Sequence, residues 1–190
     1  MPAMKRATFV TLLLFATTAF AGNPNPTQGR LFITPTAPVN GTSEVQTLTF
    51  GGTITGGSFI LTFNNRQTGP IAWSSTNATL VSNIDSALEA LSSIGAGGVT
   101  TAVGTMTAGI GTITVTFGGK NAKLDVATVS KNSTAMTGSG ASLAVSVTTP
   151  GVTADGRNSS AGTLCVAQDT GHIYVNTGSS PNPAWTDKTP

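Results

Sequence analysis

The chain of 190 residues has room for one domain with appendages. It is 8% charged with a formal net charge of +2, too thin a basic footprint for a nucleic-acid surface. Its 34 threonines and 23 glycines suit pleated strands and the turns between them, and so low a charge is unlike a disordered chain. One cysteine, Cys165, excludes an internal disulfide and a cysteine zinc site, and reads as a small buried residue of a strand.

Residues 1–21 look like a secretory signal. Lys5 and Arg6 give a positive start, Ala7 to Ala16 is apolar apart from Thr8 and Thr11, and Ala19-Phe20-Ala21 is an A-x-A cleavage pattern. The run is too short for a stable span of a bilayer. The sequence leaves cleavage and retention both open. If retained, the segment is an apolar anchor that needs burial. Residues 22–43 carry four prolines and read as an extended arm, with a short strand at Arg30–Thr34.

The main module is expected over 44–150. Val45, Leu48 and Phe50 begin a strand, and a glycine-rich turn follows at Gly51, Gly52, Gly56 and Gly57. Phe59, Leu61 and Phe63 alternate with polar positions in a second strand. Asn64-Asn65 is a turn into a return strand at Arg66–Trp73, which Pro70 places at an edge. A helix is expected at about 77–94. Thr76 or Asn77 would cap it, Leu80, Val81, Ile84, Ala87, Leu88 and Leu91 form one apolar stripe, and Gly95 ends it. Strands return at Val99–Thr107, at Thr112–Phe117, at Leu124–Ser130 and at Leu143–Thr148. From residue 151 to 190 an appendage holds a hairpin, Thr163–Ala167 and His172–Asn176, around Asp169-Thr170-Gly171. The fold class is mainly β (α+β). It is an antiparallel sheet or sandwich module with one amphipathic helix, plus an extended N-terminal arm and a C-terminal β-hairpin. The hairpin is too small to stand alone in water.

Candidate chemistry is sparse. His172, the single histidine, has Asp169 as its nearest carboxylate in sequence. Asp169-Thr170-Gly171 matches the aspartic-protease triplet, but a second triplet is missing, and the turn reading stands. Asp85 and Glu89 share a helix face, opposite the apolar stripe, and read as a solvated surface. Gly118-Gly119-Lys120 lacks the first glycine of a phosphate loop, since Thr114 holds that place. No catalytic, metal or cofactor-binding residue is assigned, no cofactor is expected, and the chain is not expected to be an enzyme.

Two stretches resemble tailed-phage virion structural proteins of the capsid-decoration and head- or tail-fibre type. The first runs from "EVQTLTFGGTITGG" at residues 44–57 through "ALEALSSIG" at 87–95 to "GTITVTFGG" at 111–119. The second is "GTLCVAQDTGHIYVNTGSSPNPAWT" at 162–186. The resemblance implies a virion location and a capsid-decoration, cement or appendage role, with capsid subunits or further copies of the chain as partners. On that reading the arm and hairpin make inter-subunit contacts, with Arg30, Leu31, Phe32, Ile33, Tyr174 and Trp185 as the interaction residues. The alternative is a secreted or cell-surface binding module, cleaved at Ala21, in which Trp73, Tyr174 and Trp185 are the aromatic candidates for glycan contact. Neither reading involves nucleic acid or a stable membrane span.

Overall fold

The computed structural model describes residues 31–34, 36–157 and 159–190. The signal-like segment 1–21, residues 22–30 of the arm and Arg30 among them lie outside the described residues. The architecture is mainly β, with antiparallel pairing throughout except at one strand pair, and one α-helix among the described residues.

The spine is β2, a single strand over Val45–Phe63. A glycine-rich turn was the expectation here, and the structure corrects it. The chain bends without breaking, with register shifts at Gly51/Thr53 and Ile54/Gly56. The first half of β2 pairs with β6 (Ile110–Phe117) along one edge and with the end of β8 (Met136–Thr149) along the other. The second half pairs with β3 (Arg66–Gln67) and β4 (Ile71–Ala72) on one edge, and with β7 (Ser130–Asn132) and the start of β8 on the other. The outermost strand, β5 (Val99–Thr107), pairs with β6. Glycine at position 52 permits the bend. A Cβ there would stand 2.1 Å from the Gly140 carbonyl oxygen, and the backbone sits at φ +80°.

The bend folds one sheet around one core. Leu48 and Phe50 from the first half of β2 meet Phe59, Leu61 and Phe63 from the second. The Phe50 and Phe59 rings lie 5.3 Å apart, edge to face, and Phe63 stacks on Phe117 at 5.0 Å. Helix α1 (Asn77–Glu89) adds Leu80, Ile84 and Leu88, and Leu91 and Ile94 continue the stripe beyond its end. Each such side chain contributes about 1.5–3 kcal/mol on full burial.

Three local expectations change. Helix α1 stops at Glu89, and turns then lead to Gly95, whose amide donates to the Leu91 carbonyl at 2.8 Å. Thr76 is the N-cap without a side-chain cap bond, and the Asn77 side-chain amide is used elsewhere. It donates to the Met106 carbonyl at 3.1 Å and accepts from the Gly109 amide at 2.9 Å. The return strand is split into β3 and β4, since Pro70 has no amide hydrogen to continue the ladder.

The expected strand at Leu124–Ser130 is irregular as far as Val129. Its backbone is satisfied by buried side chains of the β2 entry rather than by a neighbouring strand. The Val126 amide donates to Glu44 Oε2 at 3.1 Å, the Val129 amide donates to Gln46 Oε1 at 2.8 Å, and Gln46 Nε2 donates to the Ala127 carbonyl at 3.1 Å.

A second sheet has the order β1-β9-β10-β11. It joins β1 (Leu31–Thr34), β9 (Leu164–Ala167), β10 (Ile173–Asn176) and β11 (Trp185–Asp187). The β9–β10 hairpin closes around Asp169-Thr170-Gly171, with the Gly171 amide on the Ala167 carbonyl at 2.8 Å. Strand β1 runs parallel to β9. The arm was expected to lie on its own domain or on a neighbouring subunit, and the C-terminal hairpin to pack on the core or on another chain. Within the chain they pair with each other.

Candidate functional site

The small sheet is fastened to the main body by a polar junction. The Asp155 amide donates to the Val39 carbonyl at 2.9 Å, and the Asp155 carboxylate accepts from the Val39 amide at 2.9 Å. Asn40 accepts from the Trp185 amide at 2.5 Å, and Trp185 Nε1 donates to the Asp155 carbonyl at 3.0 Å. Arg157 forks onto the turn that follows β6. Its guanidinium donates to the carbonyls of Lys120 at 2.5 Å, of Lys123 at 3.1 Å and of Ala122. Partial burial holds its pKa below the ordinary value. Lys123 Nζ reaches across to the Pro183 carbonyl at 2.6 Å.

The register sorts the small sheet into two unlike faces. Phe32, Cys165, Tyr174 and Trp185 fall on the inner face, where Phe32 meets the Trp185 ring edge-on at 6.4 Å. Trp185 is 7% exposed and serves as core, which removes it as a stacking platform for a sugar. Leu31, Ile33, Leu164, Val166, Ile173 and Val175 fall on the outer face. Of these, Leu31 is 36% exposed, Leu164 43% and Ile173 45%. Of the sequence-predicted interaction residues, Leu31 and Ile33 therefore share this outer face, while Phe32, Tyr174 and Trp185 share the opposite one.

The large sheet presents a different outer surface. Across β5, β6, β2 and β8, Ala102, Thr114, Thr47 and Ser146 form one row, and Thr112, Thr49 and Ala144 form the next along β6, β2 and β8. A third row holds Thr100, Thr116, Val45 and Thr149. None of these positions is charged. The hydroxyls serve one another and the strands: Thr47 bonds Thr148, and Thr114 donates to the Ala102 carbonyl at 3.4 Å. The sequence carries the signal for this face in its Thr-x-Thr runs, Thr47–Thr49 and Thr112–Thr116, although strand alternation alone does not say that these runs lie side by side.

Several titratable groups are held in structural work. His172 pairs with Asp187, not with the Asp169 suggested by sequence. His172 Nδ1 and Asp187 Oδ2 lie 2.7 Å apart on an exposed corner, and β11 brings the two together. The Thr189 amide donates to Asp187 Oδ1 at 2.9 Å and, helped by His172, holds that carboxyl below the usual carboxylate range. Partial burial, then the charges of Asp187, Asp169 and Cys165, pushes the neighbouring Tyr174 phenol up. Asp85 accepts the Thr101 hydroxyl at 2.9 Å, and Glu89 accepts the Gly97 amide at 2.8 Å. Both are half-buried and tie the helix to its neighbours, which corrects the expectation of a freely solvated face. Trp73 is half-buried and donates to the Gly109 carbonyl at 3.2 Å. Among the described residues no three His, Cys, Asp or Glu side chains are grouped to hold a metal, and no helix is long and apolar enough to cross a membrane.

No protein-family model matches this chain, and no curated protein matches it. Among solved structures, the chain is similar to a chain from Mycobacterium phage Patience, with 17% identity and a TM-score of 0.36, over 78% of this chain. The match spans 56% of that chain, so this chain covers little more than half of its length.

Proposed function

We propose that this chain is a structural part of a phage virion, a capsid-decoration or appendage protein that works by surface contact rather than by chemistry. The observation that carries this reading is the outer face of the large sheet, three cross-strand rows of mostly threonine and serine without a charge. Such a face docks without stripping water from an ion, and its hydroxyls can exchange partners with a neighbouring subunit. The resemblance of residues 44–119 and 162–186 to virion structural modules points the same way. Strand β1 of the arm is paired with β9 of the hairpin, so on this reading inter-subunit contact falls to this face rather than to donation of either of these two strands. Stoichiometric copurification with particles is the expected result. Thr47→Lys with Thr114→Lys should lower occupancy on particles at least about tenfold, the effect of roughly 1.4 kcal/mol of lost contact. Unchanged occupancy with a folded variant removes this face from the proposal, and absence of the wild-type chain from particles removes the virion reading.

The second reading, a secreted or cell-surface binding module, rests on the Lys5-to-Ala21 pattern and on Tyr174, half-exposed beside His172. A mature chain beginning at Gly22 that binds on a glycan array, with binding lost in Tyr174→Ala, supports it over the first.

A further inference from the structure

We infer that Asn40-Gly41, with Asp155-Gly156 beside it, is a site of spontaneous covalent modification that releases β11 from the main body. In the sequence, asparagine precedes glycine only at residue 40, and aspartate precedes glycine only at residue 155. The fold brings these two dipeptides together. Asp155 bonds Val39, the neighbour of Asn40, through both its amide and its carboxylate. Trp185 holds both dipeptides. Its backbone amide donates to Asn40 Oδ1 at 2.5 Å, and its ring Nε1 donates to the Asp155 carbonyl at 3.0 Å.

Packing requires both glycines. Gly41 sits at φ +71°, where a Cβ would stand 2.7 Å from Ala154 Cβ, and Gly156 sits at φ +62°, where a Cβ would stand 2.9 Å from Trp185 Cζ2. The same missing Cβ leaves each glycine nitrogen open to the side chain before it. At residue 40 the Gly41 nitrogen attacks Asn40 Cγ, its proton passes to the departing amide, and ammonia leaves a cyclic imide. Water then opens the ring at either carbonyl, giving aspartate or isoaspartate. At residue 155 the same closure expels water from the carboxyl group, and reopening gives isoaspartate or the original aspartate. Ring closure is intramolecular and depends on orientation and on a side chain free to turn.

Asn40 is exposed, yet its side chain is held. Besides the bond to Oδ1, Asn40 Nδ2 donates to the Trp185 carbonyl at 3.4 Å. On either side the main chain is pinned, Val39 by Asp155 and Thr42 by Val152. Closure therefore waits for Asn40 to leave Trp185, and the product does not fit back. Aspartate presents an acceptor to the Trp185 carbonyl, which needs a donor. Isoaspartate adds a methylene to a main chain fixed at Val39 and Thr42. Strand β11 is the outermost of its sheet, so it opens at lower cost than the core strands, and each opening gives the reaction its chance.

The test ages the full chain in warm, mildly alkaline buffer, native and in denaturing urea, and maps its peptides by mass and by enzymatic methylation of isoaspartate. Conversion should concentrate at residues 40 and 155, with Asn132, which Ser133 follows, nearly unchanged. At residue 40 the native chain should react roughly tenfold more slowly than the chain in urea. Thr186→Pro, which weakens the pairing of β11 with β10, should bring the native rate towards the rate in urea while the amides of β6 stay protected from exchange. Urea below the unfolding transition makes the same comparison without a substitution. In the aged fraction, separated by charge, exchange protection should fall across Trp185–Asp187 and hold across β6. Equal rates at residue 40 in the native chain and in urea overturn the hold by Trp185. Full protection of β11 in the aged fraction overturns its release, and conversion spread evenly over the asparagines overturns the site.

Discussion

Gln46 donates its side-chain amide to the Glu44 carboxylate at 2.6 Å, and both residues are fully buried at the entry to β2. Glu44 immediately precedes β2, and Gln46 is its second residue, on the buried side of the strand with Leu48 and Phe50. Their remaining oxygen atoms accept the amides of Val126 and Val129. Two polar side chains thus stand in for a missing strand partner and carry the 124–129 segment across the end of the core. Because the groups are buried, removal of either leaves donors without acceptors. Gln46→Ala should therefore cost about 2–3 kcal/mol in urea unfolding, with the loss concentrated in hydrogen-exchange protection of Val129. Thr49→Ala, on the exposed side of the same strand, should cost under about 0.5 kcal/mol.

That pair also marks where the sequence ceases to be legible. Leu124, Val126 and Val129 have the spacing and composition of a strand, and nothing local says that the amides of Val126 and Val129 will be taken by side chains far earlier in the chain. The same holds for β2. Gly51, Gly52, Gly56 and Gly57 are punctuation in any local reading, and only the close passage of β8 shows that they relieve a bend within one strand. What could be read was the periodic part: the apolar stripe of α1, the alternation at Phe59–Phe63 and at Thr112–Phe117, the Asn64-Asn65 turn and the β9–β10 hairpin. These features depend on residues close to one another along the chain. The pairing of β1 with β9, the His172–Asp187 pair and the two unlike outer faces depend on register between distant strands, and the sequence does not state register.

The passage of β8 over the bend makes a sharp contrast between two glycines in the same strand. At Gly138, φ is +130° and a Cβ would stand 1.9 Å from the Thr53 carbonyl oxygen, so backbone must move to admit it. At Gly140, φ is +64° with nothing within 4 Å. Gly140→Ala should cost only the left-handed penalty of about 1–2 kcal/mol. Gly138→Ala should exceed that by several kcal/mol or fail to give soluble protein, since the clash is with main chain. Thermal midpoints of the two variants, read side by side, check the order. Equal midpoints would mean that β8 can slide away from β2 at little cost.

Arg157 couples the two sheets through one side chain. Its fork reaches three carbonyls in the Lys120–Lys123 turn, while its own backbone belongs to the segment that leads into the small sheet. A lysine has one nitrogen and cannot span the same three acceptors. Arg157→Lys should thus recover little of the loss seen in Arg157→Ala, which should be about 1.5–3 kcal/mol for bonds made by a charged donor. Limited proteolysis between residues 150 and 163 should accelerate in both variants. If lysine restores the wild-type rate, the charge matters and the fork geometry does not.

The exposed corner of His172 and Asp187 gives the molecule an acid-sensitive fastening of β11 to β10. The Asp187 carboxyl is depressed below the usual range by the Thr189 amide and by His172. A depressed carboxylate contributes stability that is present above its unfolded value and is lost as the pH falls through its folded value. The loss therefore belongs to the acid limb, below the usual carboxylate range, and not to neutral pH. In Asp187→Asn the thermal midpoint should fall less steeply on acidification in that window than in the wild type, while the two curves run parallel at higher pH. Backbone amides of Ile173–Asn176 should lose exchange protection first, because β10 holds β11 along Tyr174, Val175 and Asn176. Curves that stay parallel through the acid limb would show that the Thr189 amide and His172 fix the position of Asp187 without favouring its charge.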